Sequence, residues 1–584
     1  MKNIIIIFIC LITFVLLPSC EKMMGPYLDK APGVDVTQDT IFSSKTQVET
    51  AIVSMYRIGM HSTMPRDDAN NTGGPNYVNL STYCDEAYSP IDWTSNVQWN
   101  FATQTPDNIT STGEGEDVGR FQNRYKAIRM ANILLERVAK VPELDATYIN
   151  QVKGEARFIR ALNYFEMFKR YGGMPICRKK FELTDNFLRP RNTVKEMVDF
   201  IVGDCDTAAT LLPDVYPTNF TGRSTKGAAL LLKAKTLLYA ASPLYNANSP
   251  QISFADPSNN SLLVYGDYDL NRWQMAADAA KAVIDWAPSA GIALITNQGI
   301  NNNYRYIFEV NDNSEVILAN KCGDAKGIWD FPWAQMIPYA WYDWTWWMGY
   351  SMPVNFLEKY EKQDGTPQTW DPVGGNDLLV KYNQLDRRFL QTVCIVGAYW
   401  NADIPVNLAQ DGGPYSFNNA NLWITKFIPP SMTLNSYYAY PNDILFRLGE
   451  AYLDYAEALN EAQGPIAAAY TAVNTIRERS GQPDLPAGLT QAQFRDRVRN
   501  ERAVELFDED HRLWDIKRWV IAEQDGVMKG AFYAHHITEN VAPPNTYSYA
   551  PYVFQTRIWN NKFYAHPILR SEAMKGYLIQ NPGW

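Results

Sequence analysis

Residues 329–350 read WDFPWAQMIPYAWYDWTWWMGY, ten aromatics in 22 positions, six of them Trp. The spacing fits neither a strand nor a helix, and Pro332 and Pro338 interrupt it. A fully buried loop of this length would strand backbone polar groups, so part of it is expected to face a groove and part to be core. Flat rings suit the apolar C–H faces of sugars, while neighbouring polar side chains bind hydroxyls. The candidate ligand contacts are Trp329, Asp330, Trp333, Trp341, Trp344 and Trp346. An earlier loop adds Trp93 and Asn96, together with Asp85 and Trp99. Trp99 approaches the first long helical segment and is expected to be structural.

Catalytic signatures are mostly missing. There is no GxSxG elbow, HExxH, Walker loop or GxGxxG. The string Gly113-Glu-Gly115-Glu-Asp-Val-Gly119 has the wrong spacing and places acids where a phosphate would sit. Five His occur, and the His535-His536 pair cannot face one way on a helix, so it is expected to be a chance pair in a loop. Asp508-Glu509-Asp510 lacks the spacing and glycine of a calcium loop and is expected to be a solvated helix end. A glycosidase-type carboxylate pair is defined by space rather than by sequence, and 63 acids leave that alternative open.

The chain has 584 residues, net charge −10, 46% hydrophobic and 13% aromatic residues, with 17 Trp, 35 Tyr and 25 Phe. The acidic balance argues against nucleic-acid partners, which need clustered Lys and Arg. Residues 1–20 are MKNIIIIFICLITFVLLPSC. Lys2 followed by the apolar run Ile4–Leu17 is too short to span a membrane and suits a signal peptide over residues 1–19. Its end, Leu17-Pro18-Ser19-Cys20, resembles a bacterial lipobox, in which Cys20 would be acylated. An ordinary secretory signal with a chance Cys is the alternative. Two or more acyl chains hold a protein firmly on a membrane, and residues 20–40 read as the linker from lipid to folded body. Of the seven Cys, the five after Cys20 are scattered and odd in number, so they cannot all pair with one another, and no CxxC exists.

Helical periodicity dominates two regions that must position those loops. In 121–140, Tyr125, Ile128, Asn132 and Leu135 share a stripe; in 154–173, Phe158, Leu162 and Phe165 do, and Gly172-Gly173 stops the helix. Helices follow at about 193–212, 224–241 and 271–287, with Ser224-Thr225 an N-cap for the alanine-rich GAALLLKAKTLLYAA. In 443–520, a stripe of Leu445, Leu448, Tyr452, Tyr455 and Leu459 is broken by Gly464-Pro465; Ile466, Tyr470 and Val473 form the next, and Thr490 with Gln493 caps a third helix. Two antiparallel helices in ~34 residues have tetratricopeptide-type dimensions, as would another helical hairpin bundle. Residues 61–118 and 288–440 are loop-rich.

Several stretches together resemble the SusD/RagB family of outer-membrane nutrient-binding lipoproteins. They are the lipobox Cys20, GEARFIRALNYFEMFKRYGGMPI (154–176), STKGAALLLKAKTLLYAASPLYN (224–246), RNERAVELFDEDHRLWDIKRW (499–519) and the terminal HPILRSEAMKGYLIQNPGW. Asp508-Glu509-Asp510 departs from the family's E-G at that point. The resemblance implies a mainly α fold, four tetratricopeptide-like helix pairs as scaffold plus long irregular loops and minor β. One body would span 41–584: helical at 41–287, loop-rich and ligand-binding at 288–440, helical again at 441–584. It implies no catalysis and no cofactor, with a structural calcium left open. It also implies a lipid-anchored protein on the outer surface of a Gram-negative, Bacteroidota-type cell, partnered by a SusC-like TonB-dependent transporter. The ligand would be a glycan, or in some members a peptide, held by loops here at about 83–105 and 320–350. Arg502, Glu505, Arg512, Asp515 and Arg518, at three- and four-residue spacings, are expected to form an ion-paired helical face rather than to bind ligand.

Overall fold

The computed structural model describes residues 42–60, 79–90, 95–107, 118–182, 184–321, 350–401, 404–405, 421–428, 442–540 and 546–584. Helix boundaries follow local chemistry. Helix α1 (Lys45–Gly59) is capped by Ser44, α2 is the short Ser95–Asn100, and α3 is Val118–Arg137. Helix α4 (Ala146–Tyr171) starts at Asp145, whose carboxylate accepts from Tyr148 N, and stops at Gly172. Gly172 has φ +78, and a side chain at the next residue, Gly173, would meet Asn192 O at 1.8 Å. Thr193 and Glu196 form a capping box on α5 (Val194–Leu211), and Thr225 caps α6 (Lys226–Ala241). Then come α7 (Asn271–Trp286) and α8 (Asn303–Glu309).

These helices pack in series. Helix α3 lies on α4, α4 on α5, α5 on α6 and α6 on α7. The approach of α6 to α7 needs Gly227, because a Cβ there would sit 2.0 Å from the Trp286 ring. The chain then leaves the row and returns at α9 (Leu448–Gln463), which packs on α7. Helices α10 (Ala467–Arg479) and α11 (Gln491–Glu505) pack on α9 in turn, and α12 is Arg512–Arg518. The loop-rich stretch is thus an insertion between two helices that touch. The expected cap Thr490/Gln493 and the stops at Gly172 and Gly464 are all present, and Phe158, Leu162 and Phe165 are buried. The protein is mainly α, with small antiparallel sheets.

Three expectations are corrected. Residues Asp443–Arg447 are not the first turn of a helix. They form strand β2, paired antiparallel with β1 (Val316–Asn320), and α9 begins at Leu448. A partner distant in sequence overrides the local period, which puts Leu445 on a strand. His535-His536 lies not in a loop but in β3 (Gly530–Asn540), paired along its length with β4 (Thr546–Arg557). The strand's two-residue alternation buries His535 and exposes His536. Burial, with the Lys381 charge, holds the His535 imidazole down to about 3. Finally, Asp508-Glu509-Asp510 is not a solvated helix end. It is a turn from α11 to α12, with Asp508 and the side chain of Glu509 buried and both Asp residues at φ +61, a conformation Asp tolerates better than most residues. Cys84, Cys177, Cys205 and Cys394 are free thiols.

Candidate functional site

The flanks of the two candidate loops meet. Tyr88 N donates to Ser351 O at 2.8 Å and Ser351 N returns to Tyr88 O at 3.1 Å. On the other side of the same strand, Met352 N donates to Leu422 O at 2.8 Å and Ile424 N to Tyr350 O at 3.0 Å. Trp423–Ile424 pairs further with Val393–Cys394. Chain segments around 88, 351 and 423 are therefore zipped into one small root. Trp93 follows Tyr88 by five residues and Trp346 precedes Ser351 by five.

Of the expected ligand contacts, Trp93, Trp329, Asp330, Trp333, Trp341, Trp344 and Trp346 lie outside the described residues, as does Cys20. Asn96 is on α2 and only 2% exposed. Trp99 is core, as expected, but it packs on Phe563 and His566, at ring distances of 4.7 and 4.6 Å. Tyr350, the last ring of the aromatic segment, is buried in the root. At the segment's other end, Asn320 and Lys321 border a cleft of about 890 Å³ whose walls include Tyr56, Phe220 and Arg223, a volume in the ~300–1,000 Å³ range of ligand pockets.

Beneath the root lies a buried ionic lattice. Asp85, 1% exposed, is gripped by Arg512 through two parallel bonds, Nε to Oδ1 at 2.8 Å and Nη2 to Oδ2 at 2.7 Å. Burial alone would raise the Asp85 carboxyl; Arg512, then Lys359 and Arg557, hold it below its ordinary value. Asp85 is thus an anchor of the loop, not a ligand contact. Arg557 of β4 donates to Cys84 O at 2.5 Å and to Ala87 O at 3.2 Å, fixing the same turn. Lys426, two residues after the root strand Trp423–Ile424, is fully buried and reaches Glu509 at 2.6 Å. Glu509 also takes Arg447 Nε at 2.6 Å.

The lattice continues into the scaffold. Glu505 binds Arg447 at 2.7 Å, Arg388 at 2.9 Å and Arg479. Arg479 and Arg447 share Glu315, while Arg388 also holds Glu501 at 2.6 Å and Asp386 at 2.7 Å. Arg502 bridges Asp454 and Asp515, and Arg518 bridges Asp515 and Glu457. Burial pushes the Glu457 carboxyl up, yet Arg518 and then Arg502 and Arg499 pull it down to about 2. The residues expected to form an ion-paired face do pair, but inside the protein. Their partners Asp85, Arg388, Arg447, Asp454, Glu457 and Arg479 come from scattered segments, and no local spacing marks them.

One pair in the lattice is unfavourable. Glu86 Oε1 accepts from Asp508 N at 3.1 Å, and Asn79 donates to Asp508 Oδ1 at 2.6 Å. Burial pushes the Asp508 carboxyl up to about 6, and burial plus the Asp508 charge raises Glu86 well above the ordinary value. A carboxyl raised from ~3.9 in the unfolded chain to about 6 costs stability above pH 6, and the cost fades as pH falls through 6 towards ~4. Asp508→Asn is therefore expected to be more stable than wild type by ~1–3 kcal/mol at pH 8 and equal to it near pH 4. Urea unfolding at the two pH values measures this, and equal stability at pH 8 would contradict it.

Among the described residues no helix is long and apolar enough to cross a membrane, and no group of three or more His, Cys, Asp or Glu is arranged to hold a metal ion.

Comparison with known proteins agrees with this architecture. A model described as "SusD family" matches residues 314–584, and one described as "Starch-binding associating with outer membrane" matches residues 26–238. A SusD-like protein, P25, of Formosa agariphila is 23% identical over 535 residues, covering 86% of this chain and 87% of the relative. A SusD-like protein of Bacteroides ovatus is 24% identical over 534 residues, covering 87% and 81%. Among solved structures, a SusD-like protein of Bacteroides fragilis superposes with a TM-score of 0.76 at 24% identity, covering 95% of this chain and all of that one. A SusD-like carbohydrate binding protein of the same species gives 0.68 at 20% identity, covering 92% and 99%. The two family models together take in both the helical row and the lattice-bearing block 499–519, and the chain belongs to the SusD family.

Proposed function

We propose that the protein is a non-catalytic, lipid-anchored surface protein that binds oligosaccharide or polysaccharide and delivers it to a SusC-like TonB-dependent transporter in the outer membrane. The observation that carries this reading is the shared root. In sequence, Trp93 and the Trp-rich segment 329–350 adjoin flanks hydrogen-bonded to each other, on a base fixed by buried ion pairs. A rigid base under aromatic loops supports sugar stacking at low ordering cost. The family's association with starch and the outer membrane supports the ligand class and the place, and the structural relative named as carbohydrate binding agrees with it.

In this mechanism Trp329, Trp333, Trp341, Trp344, Trp346 and Trp93 offer ring faces, while Asp330 binds hydroxyls; Asn96, buried on α2, is withdrawn as a ligand contact. No bond in the glycan is broken. The protein acts as a lid, and its tether to the membrane keeps captured glycan at high effective concentration over the transporter. The test is a panel of polysaccharides and peptides offered to the full chain, with product release followed in parallel. Retention of a polysaccharide without degradation is expected. Binding of peptides alone would move the reading to a peptide lid, and released sugar abolished by a single carboxylate substitution would make the protein a hydrolase.

The anchor has its own test. Cys20→Ser removes the acylated sulfur, so the protein is expected to leave the outer-membrane fraction. Unchanged membrane fractionation would overturn the lipid anchor.

A further inference from the structure

A second groove lies away from the loop root, on the outer face of α3. It measures about 420 Å³ and is lined by Phe121 and Tyr125 of α3, Phe181 and Phe187 of the excursion that follows α4, and Tyr577 near the C-terminus. Phe187 is 52% exposed, and the neighbouring Leu188 is exposed as well. A protein pays to leave such rings in water, so exposed aromatics clustered in a concavity mark a binding surface.

The rim carries the chemical information. Lys126, Arg129 and Arg189 border the groove and are exposed, and no Asp or Glu lines it. This is unusual placement in a chain of net charge −10. The nearby Asp185 carboxylate is engaged by Lys179 at 3.0 Å. Arg129 donates to Phe181 O at 3.1 Å, and Arg189 lies over the Phe181 ring with 5.4 Å to its centroid. Arg189 is therefore held on the Phe181 ring and Arg129 on the backbone of the same residue, which fixes two cations beside the aromatic lining.

We propose that this groove is a second binding site, for a polysaccharide bearing negative charge. Apolar faces of the sugar rings stack on the aromatic lining, and a carboxylate or sulfate ester pairs with Arg129, Arg189 and Lys126. An acidic peptide fits less well. Peptide capture relies on free backbone edges or a helix groove, whereas the carbonyls of Phe181 and Pro175 are already taken by Arg129 and by the Tyr125 hydroxyl. The site shares no residue with the loop root and stands whether or not the loops bind glycan.

The test uses the full chain in detergent with polygalacturonate, a sulfated galactan, a neutral glucan and poly-glutamate as probes. Wild type is compared with Phe187→Ala/Arg189→Ala and with Trp329→Ala/Trp341→Ala. Retention by polygalacturonate, by the sulfated galactan or by both is expected, weakening as salt is raised from 50 to 300 mM. The groove variant is expected to lose at least tenfold in affinity and the loop variant to keep this binding; the polymer retained identifies the anionic group. No retention of either anionic polysaccharide, retention unchanged in the groove variant, or retention of poly-glutamate alone would overturn the site. Loss of neutral-glucan binding in the loop variant bears only on the loop reading.

Discussion

Glu505→Ala is expected to destabilise the protein by at least ~3–5 kcal/mol, the cost of leaving buried charge without its partner. Glu505 is fully buried, and its carboxylate touches Arg388, Arg447 and Arg479 together. Burial pushes this carboxyl up, and the three guanidinium groups overcome that and hold it far below the ordinary range. Its backbone oxygen also accepts from Tyr304 at 2.6 Å and from Arg447 at 2.8 Å, bonds that survive the substitution. Each Arg keeps another acid, but three cations are left crowded around too little negative charge. Glu505→Gln retains the volume and is expected to cost nearly as much, because the charge is what matters. Urea unfolding of the two variants measures this. A loss below ~1 kcal/mol in both would mean the lattice is not an electrostatic unit.

Arg512→Ala is the second large effect, and it separates stability from binding. The substitution removes the two-pronged partner of Asp85, and among the described residues leaves Lys359 at 3.7 Å as its ion-pair partner. A loss of ~3–5 kcal/mol is expected, falling on the turn 84–88 that feeds Trp93. Ligand affinity is expected to drop at temperatures where the protein is still folded, since the loop loses its fixed base. Arg512→Lys is expected to recover little, because one ammonium cannot replace the two-pronged contact. Ligand affinity unchanged in a folded Arg512→Ala protein would show that the root does not position the loop.

The helices were readable because their signals are local. A cap such as Thr490 with Gln493, or a stop such as Gly464, acts within one turn of chain. Strand β2 was misread because its reason lies at Val316–Asn320, more than a hundred residues away, and the β3–β4 hairpin carries no clean alternation in its sequence. The block 499–519 announced ion pairing through its spacing. It could not announce that the partners would be Asp85, Arg388 and Arg447, or that the face would be buried. For the site, composition alone marked the aromatic loops as chemistry. What could not be read was that Tyr88 and Ser351 pair, because backbone pairing between distant loops leaves no mark on side-chain type. Asp85 looked like a polar group beside a ligand for the same reason, until Arg512 was seen to hold it.

The account's central claim is that the aromatic loops bind glycan on a frame that does not depend on them. The most direct measurement is the affinity of the full chain for a glycan it retains, for wild type, Trp329→Ala and Trp341→Ala, with urea unfolding of each. The account predicts affinity lowered about tenfold, ~1.4 kcal/mol, in at least one variant while unfolding free energies stay within ~0.5 kcal/mol of wild type. Unchanged affinity in both variants, or variants that unfold, would contradict it and return those rings to the core.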